Sequence, residues 1–137
     1  MSGIKDITQL LASMEPTLNP QAFVFCTSQS LTLAQAAALN PLGLFMEAEG
    51  ITLILTRERA QAAGLDTSSD FRQITLTVHS SLEAVGLTAA IATELAQAGI
   101  SANVVAAYYH DHIFIPAADA QRALTALTQL QQRSAQA

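Results

Sequence analysis

The chain has 137 residues, half of them apolar and only 12% charged, with a net charge of −5. That length allows a buried core without disulfide or metal staples. One lysine, Lys5, and five scattered arginines exclude the clustered cations that nucleic acid or an anionic membrane surface requires.

No apolar run approaches the roughly 20 residues that span a bilayer. Asp6 and Glu15 flank the short apolar stretch near the start, which is not the pattern of a cleavable signal. A single cysteine, Cys26, has no internal disulfide partner, so a cytoplasmic location is expected. The low charge favours a buried oligomer interface, although a high alanine content alone gives the same balance.

Ile4, Ile7, Leu10, Leu11 and Met14 recur at helical spacing and predict a short helix ending before Pro16. Residues 16–21 read as a connector and residues 22–27 as a buried strand. Residues 31–41 stay ambiguous: their alanines favour a helix, but the apolar pattern is poor. A hairpin follows, 43–49 against 51–56, turning at Glu49-Gly50. Thr56 is placed to cap a helix that Gly64 stops.

In the strand from Phe71, Ile74, Leu76 and Val78 alternate with Gln73, Thr75 and Thr77. Leu87, Ile91 and Leu95 make a helical stripe that Gly99 ends. Residues 100–109 and 112–115 read as two strands, with His110-Asp111 as their turn. Ala120, Ala123, Leu124, Leu127 and Leu130 share one face of a final helix. The two halves repeat one plan of strand, connection, hairpin and helix, without clear identity.

Three segments carry a resemblance: Glu47-Ala-Glu-Gly-Ile-Thr-Leu53, Thr77-Val-His-Ser-Ser-Leu-Glu-Ala-Val-Gly-Leu-Thr88, and Asn103-Val-Val-Ala-Ala-Tyr-Tyr-His-Asp-His112. Together they resemble the ACT domain, the small ligand-binding unit of regulated amino-acid metabolism, and in particular stand-alone bacterial ACT proteins. The resemblance implies an α+β, ferredoxin-like βαββαβ fold. Two halves would lie side by side, as in the regulatory region of aspartate kinases, forming an antiparallel sheet with helices on one face. It divides the chain into a helix and connector (1–19), a degenerate half (20–70) and a better half (71–137) that strand 22–27 can complete.

The same resemblance implies a regulatory or sensory module that binds a small molecule, an amino acid, at a subunit or half-domain interface. Its ligand would sit against the loop at Ser80, Ser81, Leu82, Glu83, Val85, Gly86 and Leu87, whose backbone N–H groups take the carboxylate. The backbone carbonyls of Asn103, Val104 and Val105 would hold the amino group. A homodimer is expected, since an open sheet leaves edges to cover. The competing readings are a dimerisation module with a vestigial site and a small enzyme using His79 or His110.

The residues supply their own alternatives. Ser80 and Glu83 match a capping box, which explains both as helix-start chemistry. Gly86 instead puts the helix start near Leu87 and frees the loop before it to bind an anion. His110 and His112, two apart, would share a strand face, and His79 is a third candidate, but the set is short for a metal site and one of the trio falls in a turn. Ser80 or Ser81 beside His79 lacks the turn of a nucleophile elbow. No catalytic set converges, so no enzyme, metal or cofactor is expected. Cys26 reads as an inert core thiol, and Tyr108 and Tyr109 as pointing opposite ways.

Overall fold

The computed structural model describes residues 6–81 and 84–136. Helix α1 (Ile7–Ala12) leads into strand β1 (Pro16–Ser28), followed by α2 (Leu33–Ala38), β2 (Gly43–Glu47), β3 (Gly50–Thr56) and α3 (Arg57–Ala62). The second half repeats the order with β4 (Phe71–Leu76), α4 (Leu87–Gln97), β5 (Asn103–Ala106), β6 (Asp111–Pro116) and α5 (Ala120–Ala135). The chain divides into two compact units, Gln21–Phe71 and Met1–Pro20 with Arg72–Ala137. The fold is α+β, with antiparallel strands and helices in the ferredoxin-like arrangement.

In the unit Gln21–Phe71 the strand order is β2-β3-β1, antiparallel throughout. Ile51, Leu53 and Leu55 of β3 alternate inward and meet Val24 and Cys26, in the register Val24↔Leu55 and Cys26↔Leu53. Ala36 of α2 and Ala60 of α3 are fully buried against them. Small residues at both contacts let short helices lie close to the strands.

The ambiguous 31–41 stretch thus contains a real helix. Thr32 accepts from Gln35 N–H, and the Gln35 side chain accepts from Thr32 N–H. That reciprocal cap stabilises so short a helix where its apolar pattern is weak. The hairpin turns at Ala48-Glu49, one residue before the expected place, and Gly50 opens β3. Gly50 has φ +151°, and a Cβ there would lie 2.8 Å from the Ser28 carbonyl oxygen.

The other unit places residues 16–20 of β1 outermost, then β4, β6 and β5. Thr77 N–H donates to Met14 O (2.9 Å) and Arg72 Nε to Asn19 O (2.9 Å), so the two segments run in opposite directions. Residues 16–21 were expected to be a connector; they are strand. Pro16 and Pro20, which lack N–H groups and so weigh against a strand reading, nevertheless lie within β1. Residues 22–27, by contrast, pair with β3.

Ile74, Leu76, Ile113 and Ile115 face one side and meet Ile91 and Leu95 of α4, Leu127 of α5 and Leu10 of α1. All eight are fully buried. Each such side chain is worth about 1.5–3 kcal/mol relative to exposure. This core underlies the end of β4, the start of α4 and the ends of β5 and β6, where the candidate site lies.

Candidate functional site

Thr77 ends β4, with its N–H and its hydroxyl bonded to Met14 O and Glu15 O. The chain then turns through the loop to Gly86, the residue before α4. Gly86 has φ +100°, in the left-handed region, and gives the helix no side-chain cap. The helices α1, α2 and α3 are each capped by a side chain, from Asp6, Thr32 and Thr56. Among the described residues, α4 has no such cap from the residue before it, so its first-turn N–H groups are not met by an N-cap side chain.

The helix start at Leu87 is the one that Gly86 predicts. It also removes the capping-box explanation of Ser80, which lies too far upstream to cap α4. Ser80 Oγ donates instead to Asp111 Oδ2 at 3.1 Å. Both side chains are buried, with 8% and 7% of their surfaces exposed.

Asp111 was expected in the hairpin turn and is in fact the first residue of β6, paired with Ala106. Ala107 N–H donates to His110 O (3.1 Å), which puts Tyr108 and Tyr109 at the centre of the turn. Two tyrosines at the end of a valine-rich run read as strand because aromatic residues favour strands. At a turn the alternation of side chains lapses. Their rings meet edge to face at 4.9 Å, both about 60% exposed, with His79 at 5.4 Å from Tyr109.

A cavity of about 70 Å³ lies at this place, lined by Ser80, Ser81, Ala84, Leu87, Thr88, Ala106 and Asp111. Ser80, Ser81 and Leu87 are thus brought together. Gly86 stands next to the lining, and Val85 is 84% exposed. Leu82 and Glu83 lie outside the described residues. Of β5, Ala106 reaches the cavity. Val104 packs toward the core, and Asn103 Nδ2 donates to Phe114 O (3.3 Å). Asp111 and Thr88 were missed by sequence reasoning. The alternation Asp111, Ile113, Ile115 was the available signal, since it puts the carboxylate in register with two core residues.

The other half has a hollow in the corresponding place, between the loop after β1 and the β2–β3 turn. It is larger, about 530 Å³, and more open; Ser28, Thr32, Met46, Glu47 and Glu49 are among its lining residues.

The histidines part company. His110 Nδ1 sits 3.3 Å from Val78 O and so carries the proton, because a carbonyl only accepts. His112 Nδ1 lies 3.0 Å from both Gln73 Nε2 and Thr75 Oγ1. The amide nitrogen donates, so this Nδ1 accepts, and Asn19 Nδ2 extends the chain to Gln73 Oε1 (3.0 Å). Burial lowers the His112 pKa, and the nearby His110 adds to the effect while Asp111 opposes it. Among the described residues no group of three metal-ligating side chains converges.

Cys26 is buried and its thiol donates to Asp66 O at 3.4 Å. Burial raises its pKa, and the Asp66 charge raises it further. Its expected place in the core is met. Among the described residues no helix is long and apolar enough to cross a membrane.

Two ACT-domain family models match the chain, over residues 2–72 and 68–129. Among solved structures, a Vibrio cholerae protein of unknown function, described as a possible transport protein, is similar at 57% identity. The match has a TM-score of 0.80 and covers 87% of this chain and 91% of that one. The ligand-free regulatory subunit of aspartate kinase from Thermus thermophilus shares the fold at 14% identity and TM-score 0.58, over 84% of this chain and 95% of that one. Aspartokinase III of E. coli, in complex with aspartate and ADP, does so at 11% identity and TM-score 0.61, over 84% of this chain and 32% of that one. Among curated proteins, none matches the sequence.

Proposed function

The chain belongs to the ACT-domain family, and from that premise we propose that it is a regulatory module that binds a small metabolite, an amino acid, and acts at a subunit interface. Regulation rather than catalysis is what family membership supports. The observation that carries the reading is the uncapped start of α4. Gly86 gives α4 no side-chain cap of its own, and the first-turn residues Leu87 and Thr88 line the cavity together with Ser80 and Ser81. Such a helix end favours a carboxylate by charge and by hydrogen bonding.

Binding would act by population shift. A ligand that holds the β4–α4 loop in one arrangement, or bridges to a second copy, moves the equilibrium only by its difference in affinity for the two states. The proposal includes a homodimer and a cytoplasmic location, where the single thiol stays reduced. Outer strands β5 and β2 offer edges for a second copy, each within its own unit.

A second reading, a dimerisation module without a working ligand site, is favoured by one observation. On the edge strand β2, Phe45 is 71% and Met46 58% exposed. A thermal-shift screen with the twenty amino acids separates the two. The ligand-binding reading expects at least one to raise the melting temperature at millimolar concentration. No shift with any of them leaves the dimerisation reading.

A further inference from the structure

The two hollows share a chemical character that a carboxylate-binding loop does not explain. Asp111 lines the smaller one, and Glu47 and Glu49 line the larger. Among the described residues, no lysine, arginine or histidine lines either. Both are therefore acidic pockets.

Asp111 is the sharper case. It is 7% exposed, and its one described side-chain hydrogen bond is from Ser80 Oγ. No described cation pairs with it. A single hydroxyl replaces little of the hydration that a carboxylate loses on burial. An ammonium group, with three donors and a full charge, would replace much more.

We infer that Asp111, positioned by Ser80, is the receptor for the ammonium group of an amine-bearing ligand. The inference rests on reading this cavity as the ligand site, and it names the charged group that the site selects. Besides Asp111, the lining includes Leu87 and Thr88, in the first turn of α4. The lining thus combines a carboxylate with the positive end of a helix. That pairing matches the zwitterionic head of an α-amino acid. A ligand with a carboxylate alone would meet the helix end and be repelled by Asp111. The cavity, about 70 Å³, has room for such a head group or for several waters.

The test compares ligands before it compares variants. Wild-type protein is titrated by calorimetry and thermal shift with the twenty amino acids, with deaminated counterparts such as propionate and lactate for alanine, and with methylamine and ethylamine. The expected result is that any amino acid that binds does so ~10-fold or more tightly than its deaminated counterpart, the loss typical of leaving a buried charge without its partner. Asp111→Asn loses the same factor, while Ser80→Ala, which only loosens the carboxylate, loses less. Equal binding of an amino acid and its deaminated counterpart overturns the inference and leaves the ligand-binding module standing. So does undiminished binding by a folded Asp111→Asn. Binding of the amines without any amino acid supports the Asp111 receptor and removes the amino-acid reading. No response to any amino acid or amine overturns both. The wild-type comparison stands even if Asp111→Asn does not fold.

Discussion

Replacing Gly86 with alanine isolates the backbone strain at the start of α4. The residue holds φ +100°, and a Cβ there would be 3.6 Å from the Ile7 side chain, an ordinary contact. The cost is therefore conformational, about 1–3 kcal/mol for a non-glycine residue held in this region. For a domain of this size 1 kcal/mol moves the melting midpoint by roughly 3–5 °C. A fall of about 3–15 °C is expected, read by circular dichroism or calorimetry. Gly50→Ala is the reference. There the strain is joined by a backbone oxygen 2.8 Å from the new Cβ, so its loss must exceed that of Gly86→Ala. A Gly86→Ala protein that melts with wild type, or the reverse order of the two variants, would refute the reasoning.

Two further outcomes follow from titratable groups. The His112 pKa is depressed in the folded protein below its ordinary 6.5, so the unfolded chain binds the proton first. Stability should fall as pH drops from 6.5 through the lowered folded value, and thermal melts of His112→Gln should show a shallower fall over that window. If the variant keeps the full slope, the acid sensitivity lies elsewhere. Burial and a raised pKa should keep Cys26 slow to react with a thiol reagent at neutral pH, with labelling following unfolding in denaturant. Rapid labelling of the native protein would place the thiol outside the core.

Much of the fold was legible because the period of its apolar residues is clean. Ile74, Leu76 and Val78 marked a strand by alternation, and Leu87, Ile91 and Leu95 marked a helix by fours. Gly86 fixed the helix start better than Ser80 and Glu83 did. What the pattern hid was local chemistry that tertiary partners decide. Thr32 and Gln35 form the reciprocal cap that had been sought at Ser80 and Glu83. Pro16 and Pro20 suggested a connector, since only the sheet order shows that residues 16–20 lie outermost in their unit. Tyr108 and Tyr109 looked like strand and took the turn, which moved Asp111 from a solvated tip to a buried cavity wall. A carboxylate there invites a charge argument that no residue count supplies.

The unit built from Met1–Pro20 and Arg72–Ala137 also dictates a timetable. Glu15 N–H donates to Gln131 Oε1 across 116 positions of sequence. At synthesis rates of about 5–20 residues per second, Glu15 waits roughly 6–23 s for Gln131 of α5 to emerge. During that wait β4 emerges first and gives Met14 and Asn19 their partners in Thr77 and Arg72, while the helix that Glu15 bonds is still to come. The candidate cavity cannot form before Asp111 is made, and the core beneath it closes only once α5 has followed.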